Sequence, residues 1–493
     1  MKKYLVSFLL FLMPALFLQA QTGLQLGNGL QSSMVIQQAK PMIYWGTATM
    51  GTEIHIKPDW SKKLYTAKAG ADGNWQVSIE VPAVAENNYT PHTIEVYTNT
   101  EKQVLSDVLI GEVWLCSGQS NMDMELKPFL PWLQGVMDYE KEIAAANYPQ
   151  IRLWDIKSDF KKMPVERCKG DWKICTPDNA KDFSAVAYYF GRELMNRLHV
   201  PVGLITSSIG ATTCQAWTSR ETLAADEALN KILYAYDTSA AAREPLDSVV
   251  TFEKLTRPTL LYNSMIYPLR NISLKGFLWY QGESNKDNQD IYARLCGAMI
   301  GNWRSLFNQG DLPFYYVQVA PYNWQLNDST AYNYALFRDA QKDVLKVKNT
   351  GMVVTMDIAD PADIHPRQKK EVGERLAWNA LSKTYHVKNV QFLGPVFKGY
   401  SVSGATVKVS FEAGSIGAGL QTNDAAAPRH FYIAGEDKKF YYADAKIVNN
   451  QVVLTSEKVK KPVAVRYAYT NYPVTNFGNT DGLPAVPFRT DNW

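Results

Sequence analysis

The chain has 493 residues, of which 46% are hydrophobic and 20% charged, and its formal net charge is only +3. This length predicts two or three domains, and the intermixed charges lack the basic stripe that is typical of nucleic-acid binding. No C-x-x-C pair or clustered histidine pattern indicates a metal site. We therefore expect a globular protein with no nucleic-acid partner, no metal and no cofactor.

Residues 1–20 have the features of an export signal. Lys2 and Lys3 give a positive start, an apolar stretch too short for a typical membrane span follows, and Ala20 ends a small-residue cleavage site. No later stretch is long and apolar enough to span a membrane. We predict an exported protein, periplasmic or secreted, whose mature chain begins at Gln21.

Residues 21–106 contain short apolar runs, often alternating with polar residues and separated by turn signals. The runs lie at 34–36, 41–45, 53–56, 75–79 and 92–97. This spacing predicts an N-terminal β-sandwich domain. Such a domain either binds carbohydrate or serves as a scaffold beside a catalytic domain.

From residue 107 to residue 390, predicted strands alternate with predicted helices. The strands cover 107–115, 200–206, 274–280, 314–320 and 352–358, and the helices cover 183–194, 292–307, 336–347 and 371–385. This alternation predicts an α/β domain whose parallel sheet is covered by helices on both faces. Residues 391–493 return to short strands and predict a C-terminal β-rich domain.

The five cysteines are too few for a disulfide scaffold in a chain of this length. Cys168 and Cys175 are close enough in sequence to pair. Cys116, Cys214 and Cys296 lie in apolar surroundings that are typical of core residues.

Ser120 is the candidate nucleophile. The apolar run before it ends in the small, turn-forming residues 117–121 (SGQSN), which would present a hydroxyl at the edge of the sheet where α/β domains place their sites. Among the six histidines, His365 alone lies in a polar loop after a strand of the α/β domain with acids nearby. A serine with such a base is suited to acyl transfer, although the serine stretch alone also fits a plain polar turn.

Four blocks in the same order resemble the SGNH (GDSL-like) hydrolases. They are residues 118–122 (GQSNM), 208–212 (SIGAT), 279–285 (WYQGESN) and 363–366 (DIHP). More narrowly, the chain resembles the sialate O-acetylesterase family of carbohydrate esterases, with further likeness at 33–37, 261–266 and 482–490. This resemblance implies an SGNH-hydrolase three-layer α/β/α domain and a serine esterase that removes O-acetyl groups from sugars, 9-O-acetyl sialic acid first.

The resemblance also implies roles for single residues. Ser120 would attack the acetyl carbonyl, His365 would carry the proton, and Asp363 would orient the imidazole. The backbone amides of Ser120 and Gly210, with the side chain of Gln281, would bind the oxyanion.

Two questions about these roles stay open. The superfamily places its acid three residues before the histidine, where this chain has Ala362, so Asp360 or a Ser–His dyad are alternatives to Asp363. Asn285 is an alternative to Gln281 as the oxyanion side chain.

Four residues are candidate sugar contacts. Trp217 and Trp279 would offer stacking faces, Asn285 a polar contact and Arg338 a two-pronged partner for a sialate carboxylate. The tryptophans are alternatively core residues, and Arg338 alternatively forms a salt bridge on a helix surface.

The substrate and the enzyme class have competing interpretations. The sequence does not separate sialic acid from another acetylated glycan, such as xylan or xyloglucan. An ordinary α/β-hydrolase would need G-x-S-x-G, and residues 118–122 lack the second glycine. A non-catalytic carbohydrate-binding surface protein would leave the polar blocks at the strand ends without a reason.

Overall fold

The computed structural model describes residues 23–247, 249–324, 331–360 and 362–493. The predicted export signal, residues 1–20, lies outside these ranges. Within them, no helix combines the length and the apolar character needed to cross a bilayer.

The N-terminal unit contains two antiparallel sheets. Its strands are β1 (Gln25–Leu26), β2 (Val35–Gln37), β3 (Met42–Thr47), β4 (Glu53–Pro58), β5 (Tyr65–Lys68), β6 (Asn74–Ile79), β7 (His92–Tyr97) and β8 (Lys102–Gly118). One sheet has the order β1-β3-β6, and β4, β5, β7 and the first part of β8 form the other. Side chains of both sheets, such as Tyr44, Ile56 and Val96, are buried in one shared core, as a β-sandwich requires.

The strand β8 connects this unit to the next one. It has 17 residues; it first pairs with β7, then with β2, and its last seven residues lie in the central sheet. Every residue from Val108 to Gly118 is buried, which is typical of a strand covered on both faces. The boundary predicted after residue 106 therefore falls inside one continuous strand.

The central sheet has the strand order β10-β9-β11-β8-β12-β13-β14. Its further strands are β9 (Tyr148–Asp155), β10 (Trp172–Cys175), β11 (Val202–Ser208), β12 (Gly276–Tyr280), β13 (Phe314–Val317) and β14 (Thr350–Val353). The edge strand β10 pairs with β9 in antiparallel orientation, and the other neighbours along this order are parallel. The prediction of a parallel sheet is confirmed.

Helices cover both faces of this sheet. They are α1 (Ser120–Asp123), α2 (Tyr139–Ala145), α3 (Pro177–Ala180), α4 (Ala185–Leu198), α5 (Arg220–Ala224), α6 (Glu227–Asp237), α7 (Phe252–Thr256), α8 (Tyr292–Phe307), α9 (Asn333–Asp343) and α10 (Lys369–Lys383). Short 3₁₀ turns lie at Cys214–Trp217, Tyr267–Leu269, Glu283–Asn285, Val344–Lys346 and Ala413–Ser415, and a π-helical turn at Tyr262–Ile266.

The side chains of β8 show how the layers divide. Trp114 and Cys116 pack into a core with α4 and α10, whereas Val113 and Leu115 pack into the core that contains α8 and α9. Successive residues of a strand point to opposite faces, so these two cores lie on opposite sides of the sheet. The predicted three-layer α/β/α domain is therefore confirmed.

The C-terminal unit is β-rich, as predicted, and has its own apolar core. Its strands are β15 (Phe397–Ser403), β16 (Thr406–Phe411), β17 (Leu420–Thr422), β18 (Phe431–Ala434), β19 (Phe440–Tyr442), β20 (Asp444–Val448), β21 (Gln451–Thr455), β22 (Ala464–Tyr467), β23 (Phe477–Asn479) and β24 (Phe488–Arg489). They form two four-stranded sheets, β15-β16-β21-β20 and β19-β18-β22-β24, and the pair β17-β23.

All five cysteines are free thiols, so the pairing of Cys168 with Cys175 that their spacing allows is not formed. Burial raises the pKa of both thiols to about 12, which keeps them protonated and unreactive near neutral pH. Cys116, Cys214 and Cys296 are buried in the apolar cores, as expected.

Candidate active site

Ser120 lies where β8 ends at the carboxyl edge of the sheet. The strand turns at Gly118, whose φ of +145° and close approach to β12 require glycine, because a β-carbon there would lie 2.1 Å from the carbonyl oxygen of Tyr280. The next residue, Gln119, donates its backbone N–H to that same oxygen at 2.9 Å. This turn places Ser120 at the first position of the single-turn helix α1.

Ser120 and His365 are in direct contact. The Oγ atom of Ser120 lies 2.9 Å from Nε2 of His365, although the two residues are 245 positions apart in the chain. His365 reaches the serine from the loop between β14 and α10. Such a contact is the geometry that a serine nucleophile and its general base require.

Asp363 lies on the other side of the imidazole. Its Oδ1 accepts a hydrogen bond from the backbone N–H of His365 at 2.8 Å and lies 3.5 Å from Nδ1 of the ring. Burial disfavours the ionised carboxyl, but hydrogen bonds from the His365 side chain and backbone outweigh it and lower the pKa of Asp363. A carboxylate so placed favours the tautomer with its proton on Nδ1, which leaves Nε2 free to accept from Ser120.

The alternative acid, Asp360, is placed differently. Its side chain is exposed, and its Oδ1 accepts a hydrogen bond from the backbone N–H of Ala362 at 2.9 Å. Its carbonyl oxygen accepts from the N–H of Asp363 at 3.1 Å. Asp360 therefore stabilises the turn that leads to Asp363, and no contact within the described ranges joins its carboxylate to His365.

A buried polar network lies behind the catalytic pair. The Nδ2 atom of Asn121 donates to Glu283 Oε1 at 2.6 Å and to the Ile364 carbonyl at 3.1 Å, and its Oδ1 accepts from Lys369 Nζ at 2.5 Å. Burial disfavours charge on both ionisable groups, so it lowers the pKa of Lys369 to about 7 and raises that of Glu283. Asn121 thereby fixes the backbone immediately before His365.

Gly210 lies beside the nucleophile, in the loop after β11. A β-carbon at Gly210 would be 3.4 Å from the β-carbon of Ser120, so the two backbones are close neighbours. The backbone N–H of Gly210 also stabilises the carboxylate of Asp123. The structure thus brings together Ser120 and Gly210, the two residues whose amides we expect to bind an oxyanion.

Gln119 is a neighbour of the nucleophile that has no predicted role. Its side chain lines the same cleft as Ser120, and its Oε1 accepts hydrogen bonds from the backbone N–H groups of Gly282 and Ser284 at 3.2 and 3.3 Å. Among the described residues, no acceptor bonds its Nε2. Because the oxygen is anchored, the amide presents its donor end without a partner.

Gln281, in contrast, does not line the cleft. Its side chain is buried; Nε2 donates to the Thr212 carbonyl at 3.0 Å and to Asn285 Oδ1 at 2.8 Å, and Oε1 accepts from the Tyr292 hydroxyl at 3.0 Å. Both amide hydrogens are used inside the protein. The expected oxyanion role of Gln281 has no support in this geometry.

The two tryptophans expected to stack on sugar are core residues in the structure. Trp217 and Trp279 are fully buried and pack edge to face, with ring centroids 6.2 Å apart. The indole N–H of Trp217 donates to Thr212 Oγ1 at 3.0 Å. Neither ring lines the cleft, because the strand and loop that carry them turn these side chains into the core that contains α8.

Asn285 and Arg338 are also buried; both side-chain polar atoms of Asn285 and the two terminal nitrogens of Arg338 are bonded to protein. Asn285 accepts from the Cys214 N–H at 2.8 Å and donates to Gln215 and Asn288 at 3.1 Å each. Arg338 donates to backbone carbonyls of the C-terminal unit at 468, 470 and 471, and burial lowers its pKa to about 10. The interpretation of these two side chains as sugar contacts is therefore corrected: they stabilise the interior.

The cleft above Ser120 has a volume of about 510 Å³. Its polar residues include Gln119, Ser120, Glu283 and His365, and much of the rest is apolar: Phe129, Trp132, Leu133, Val250, Phe252, Leu255 and Trp324. These apolar residues lie in loops and a short helix, where no periodic pattern marks them. The cluster of large apolar residues in a loop at 129–133 (FLPWL) is the signal that the sequence offers.

A second cavity of about 230 Å³ shares Asp123, Phe129 and Leu133 with this cleft. It is acidic, with the carboxylates of Asp123, Glu125, Asp155 and Asp182 in its lining. Burial, together with Asp155 and Glu125, raises the pKa of Asp123 to about 7, although Ser208 Oγ donates to it at 3.0 Å. In the described ranges, no group of three or more His, Cys, Asp or Glu side chains is arranged to hold a metal ion.

Known proteins are similar to this chain across the same region. A family model described as "Carbohydrate esterase, sialic acid-specific acetylesterase" matches residues 110–382, from β8 to α10. The chain belongs to this family. It is accordingly a carboxylic ester hydrolase of the carbohydrate esterase type, and the matched region contains both Ser120 and His365.

Individual relatives extend the likeness beyond the family region. Sialate O-acetylesterase of Mus musculus is 29% identical over 95% of this chain and 94% of its own length. That of Rattus norvegicus is 31% identical over 77% of each chain. The crystal structure of a carbohydrate acetylesterase from Xanthomonas citri, 34% identical, has a TM-score of 0.83 and covers 95% of this chain and 100% of that one.

Proposed function

We propose that the protein removes O-acetyl groups from sugars, with 9-O-acetyl sialic acid as the first expected substrate. The observation that carries the proposal is the 2.9 Å contact between Ser120 Oγ and His365 Nε2 on the floor of an accessible cleft. The names of the relatives support the substrate class: two are sialate O-acetylesterases and one is a carbohydrate acetylesterase.

The reaction follows from the placement of these atoms. Ser120 Oγ attacks the acetyl carbonyl while His365 Nε2 takes the serine proton, and the same nitrogen then gives that proton to the departing sugar oxygen. A water molecule, deprotonated by His365, attacks the acetyl-serine ester and releases acetate. Asp363 holds the imidazole in the required tautomer throughout.

The developing oxyanion needs donors that already point at it. The backbone N–H groups of Ser120 and Gly210 are the donors that we retain from the resemblance, and the Gly210 N–H would exchange the Asp123 carboxyl for the oxyanion. We add Gln119 Nε2 in place of Gln281, because the Gln119 amide is anchored with its nitrogen free of described partners, whereas both amide hydrogens of Gln281 are already bonded.

A second candidate substrate is a neutral acetylated glycan, such as xylan or xyloglucan. The cleft lining includes the carboxyl groups of Asp123 and Glu283, and none of its described lining residues is Lys or Arg. Carboxyl groups accept hydrogen bonds from sugar hydroxyls, whereas the carboxylate of a sialic acid would find no cationic partner among these lining residues. Rates on acetylated sialic acids and on acetylated xylan or xyloglucan fragments separate the two candidates.

Export is part of this proposal. The charged start and apolar stretch of residues 1–20 support transport to the periplasm or the outside, where acetylated glycans are found as substrates. We expect the full chain, expressed in a Gram-negative host, to appear in the periplasmic or culture fraction with Gln21 as its first residue. A cytoplasmic product that retains Met1 would contradict this.

The central test uses p-nitrophenyl acetate and two inhibitors. We expect hydrolysis that survives EDTA and is lost after a serine-directed fluorophosphonate, because a serine, a histidine and amide donors suffice for the chemistry. Activity that EDTA removes and zinc or manganese restores would mean that the carboxylates and His365 hold a catalytic ion. Absence of any hydrolysis would favour a sugar-binding protein without catalysis.

A further inference from the structure

Several large apolar side chains at the mouth of the cleft are exposed to solvent. Phe129 is 59% exposed, Trp132 67%, Val250 50% and Phe252 71%. All four line the cleft that has Ser120 on its floor. Single exposed apolar residues are ordinary, but a group of them around one cleft is typical of a binding surface.

The backbone that carries three of these side chains, at residues 129, 132 and 252, is held by hydrogen bonds. Phe129 and Leu133 exchange backbone hydrogen bonds of 2.8 and 3.0 Å, and the N–H of Trp132 donates to the Phe129 carbonyl at 3.0 Å. Phe252 begins α7, whose first turn is capped by the Thr251 hydroxyl. The surface is thus formed before any ligand arrives, which reduces the entropy lost on binding.

The rings also differ in how far protein already covers them. Trp324, which lines the same cleft, contacts Tyr322 and Tyr334 edge to face, and Lys286 Nζ lies 5.0 Å from its ring centroid. Among the described residues, no aromatic ring or cation packs on Trp132 or Phe252. Their faces are therefore open to a ligand.

A sugar ring has the chemistry that suits such a surface. One face of a pyranose presents C–H groups that pack on an aromatic ring, and its hydroxyls can bond polar groups of the same cleft, such as the Asp123 carboxyl. The cleft volume of about 510 Å³ lies within the range of roughly 300–1,000 Å³ that is typical of ligand sites, which leaves room beyond a single acetylated pentose or hexose.

We propose that Trp132 and Phe252 bind the face of the sugar ring next to the acetylated one, so that the enzyme acts on acetylated oligosaccharides in preference to free acetylated monosaccharides. This inference rests on the proposed function. The recognised chemistry is the apolar face of a pyranose, which a neutral glycan and a sialylated glycan both offer.

The test compares substrates of increasing length on the full-length protein. They are p-nitrophenyl acetate, an acetylated xylose, an acetylated xylo-oligosaccharide, free 9-O-acetyl sialic acid and 9-O-acetyl sialyllactose. We expect the wild-type kcat/KM to be about tenfold higher for an oligosaccharide than for its monosaccharide in at least one of the two series. The series with this preference shows whether the neighbouring ring belongs to a neutral glycan or to a sialylated glycan.

Single variants then locate the contact. Trp132→Ala and Phe252→Ala should each raise KM for the preferred oligosaccharide about 3- to 10-fold with kcat unchanged. Because both side chains line the cleft that also contains Ser120, KM for the monosaccharide and for p-nitrophenyl acetate should rise less than KM for the oligosaccharide, and the ratio of these KM values is the readout. Tyr234→Ala is the matched control, because Tyr234 is a 69% exposed aromatic residue of α6 that does not line the cleft.

The outcomes separate this inference from the proposed function. If the wild type cleaves oligosaccharide and monosaccharide equally and the variants change neither, the function stands and the ring-binding role is wrong. Hydrolysis of p-nitrophenyl acetate but of no acetylated sugar would overturn both. Loss of a wild-type dimer in both variants, measured by sedimentation with KM unchanged, would assign the surface to self-association instead.

Discussion

Two polar loops leave the same edge of the central sheet, one after β8 and one after β12, and each contains a glutamine. After β8, Gln119 keeps its amide nitrogen free of described partners, and Ser120 contacts His365 across the cleft. After β12, the side chains of Gln281 and Asn285 bond to each other and to their neighbours with all their polar atoms. Similar residues at equivalent places therefore serve different purposes.

The difference shows what distinguishes a site from a structural loop. Polar residues after a strand of an α/β sheet are necessary for a site at that edge, but a satisfied buried amide contributes only to stability. A group that serves the reaction needs an atom that faces the cleft and is not already bonded to a purely structural partner. Substitutions in the β8 loop should thus reduce turnover, whereas those in the β12 loop should reduce the free energy of unfolding.

The largest expected effect is that of Ser120→Ala. Loss of a nucleophile of this type lowers turnover by about ten-thousandfold or more, since no other group takes its place. The fold should survive, because within the described ranges the hydroxyl bonds His365 alone. Turnover of p-nitrophenyl acetate and the melting temperature measure the two properties, and a variant that retains most wild-type turnover would refute the assignment.

Asp363→Asn should have the next largest effect, and Asp360→Asn is its control. An amide at 363 no longer favours the Nδ1-protonated tautomer of His365, so turnover should fall by roughly a thousandfold to ten-thousandfold. Asp360→Asn should leave turnover within about threefold, because its carboxylate bonds Ala362 and is exposed. Damage by Asp360→Asn instead would reverse the pairing, and near-normal rates for both would indicate a Ser–His dyad.

A third prediction compares the two glutamines directly. Gln119→Ala should lower kcat by about a hundredfold to a thousandfold with little change in KM, as expected for a lost oxyanion donor. Gln281→Met should leave the Thr212 carbonyl without its partner and the Tyr292 hydroxyl with only the backbone carbonyl of residue 281 at 3.2 Å, so it should lower the free energy of unfolding by about 1–3 kcal/mol.

Urea denaturation and steady-state kinetics on both variants test this pair. Each variant should change one property only. The Gln119 variant should unfold like the wild type, and the folded Gln281 variant should have a near-normal kcat. A Gln281→Met protein that is stable but a hundredfold slower would return the oxyanion role to Gln281.

The sequence predicts the architecture well where apolar runs are continuous. The buried second half of β8 and the helix α8 are examples, since α8 is observed at the predicted residues 292–307. The strand β9 has no such run, because Arg152 lies in its middle; this arginine is buried with an ion pair to Asp107, 45 residues earlier, and a hydrogen bond to the Ser33 carbonyl. A contact so distant in sequence leaves no local pattern.

The same limitation explains which site residues could be predicted. Ser120, Gly210 and His365 follow strands within short polar blocks, so their convergence at one edge is expected from topology. Whether a side chain is buried depends on residues that are distant in sequence. Arg338 belongs to a helical pattern that predicts a surface position, but the backbone carbonyls that it contacts in the C-terminal unit are more than 120 residues away. Trp132 lies in a turn, where no periodicity indicates exposure.

The smallest predicted effect concerns Asp123, which lies between the β8 loop and the acidic cavity. Its pKa is raised to about 7 from a usual value near 3.8, chiefly by burial and further by Asp155 and Glu125. The folded state therefore holds a proton that the unfolded state releases near pH 4. The stability that this proton provides is complete below about pH 4 and is lost as the pH rises to 7.

Asp123→Asn should remove this dependence while an amide oxygen still accepts the hydrogen bond from Ser208. We expect the variant to unfold like the wild type at pH 4 and to be more stable at pH 8 by about 1–2 kcal/mol. This is below the roughly 4 kcal/mol that the full shift would give, because the partly exposed carboxyl is screened by solvent. Urea denaturation of both proteins across this range measures the difference. A difference that is the same at every pH would show that Asp123 is ionised in the folded protein throughout, with the Gly210 N–H and Ser208 offsetting its burial.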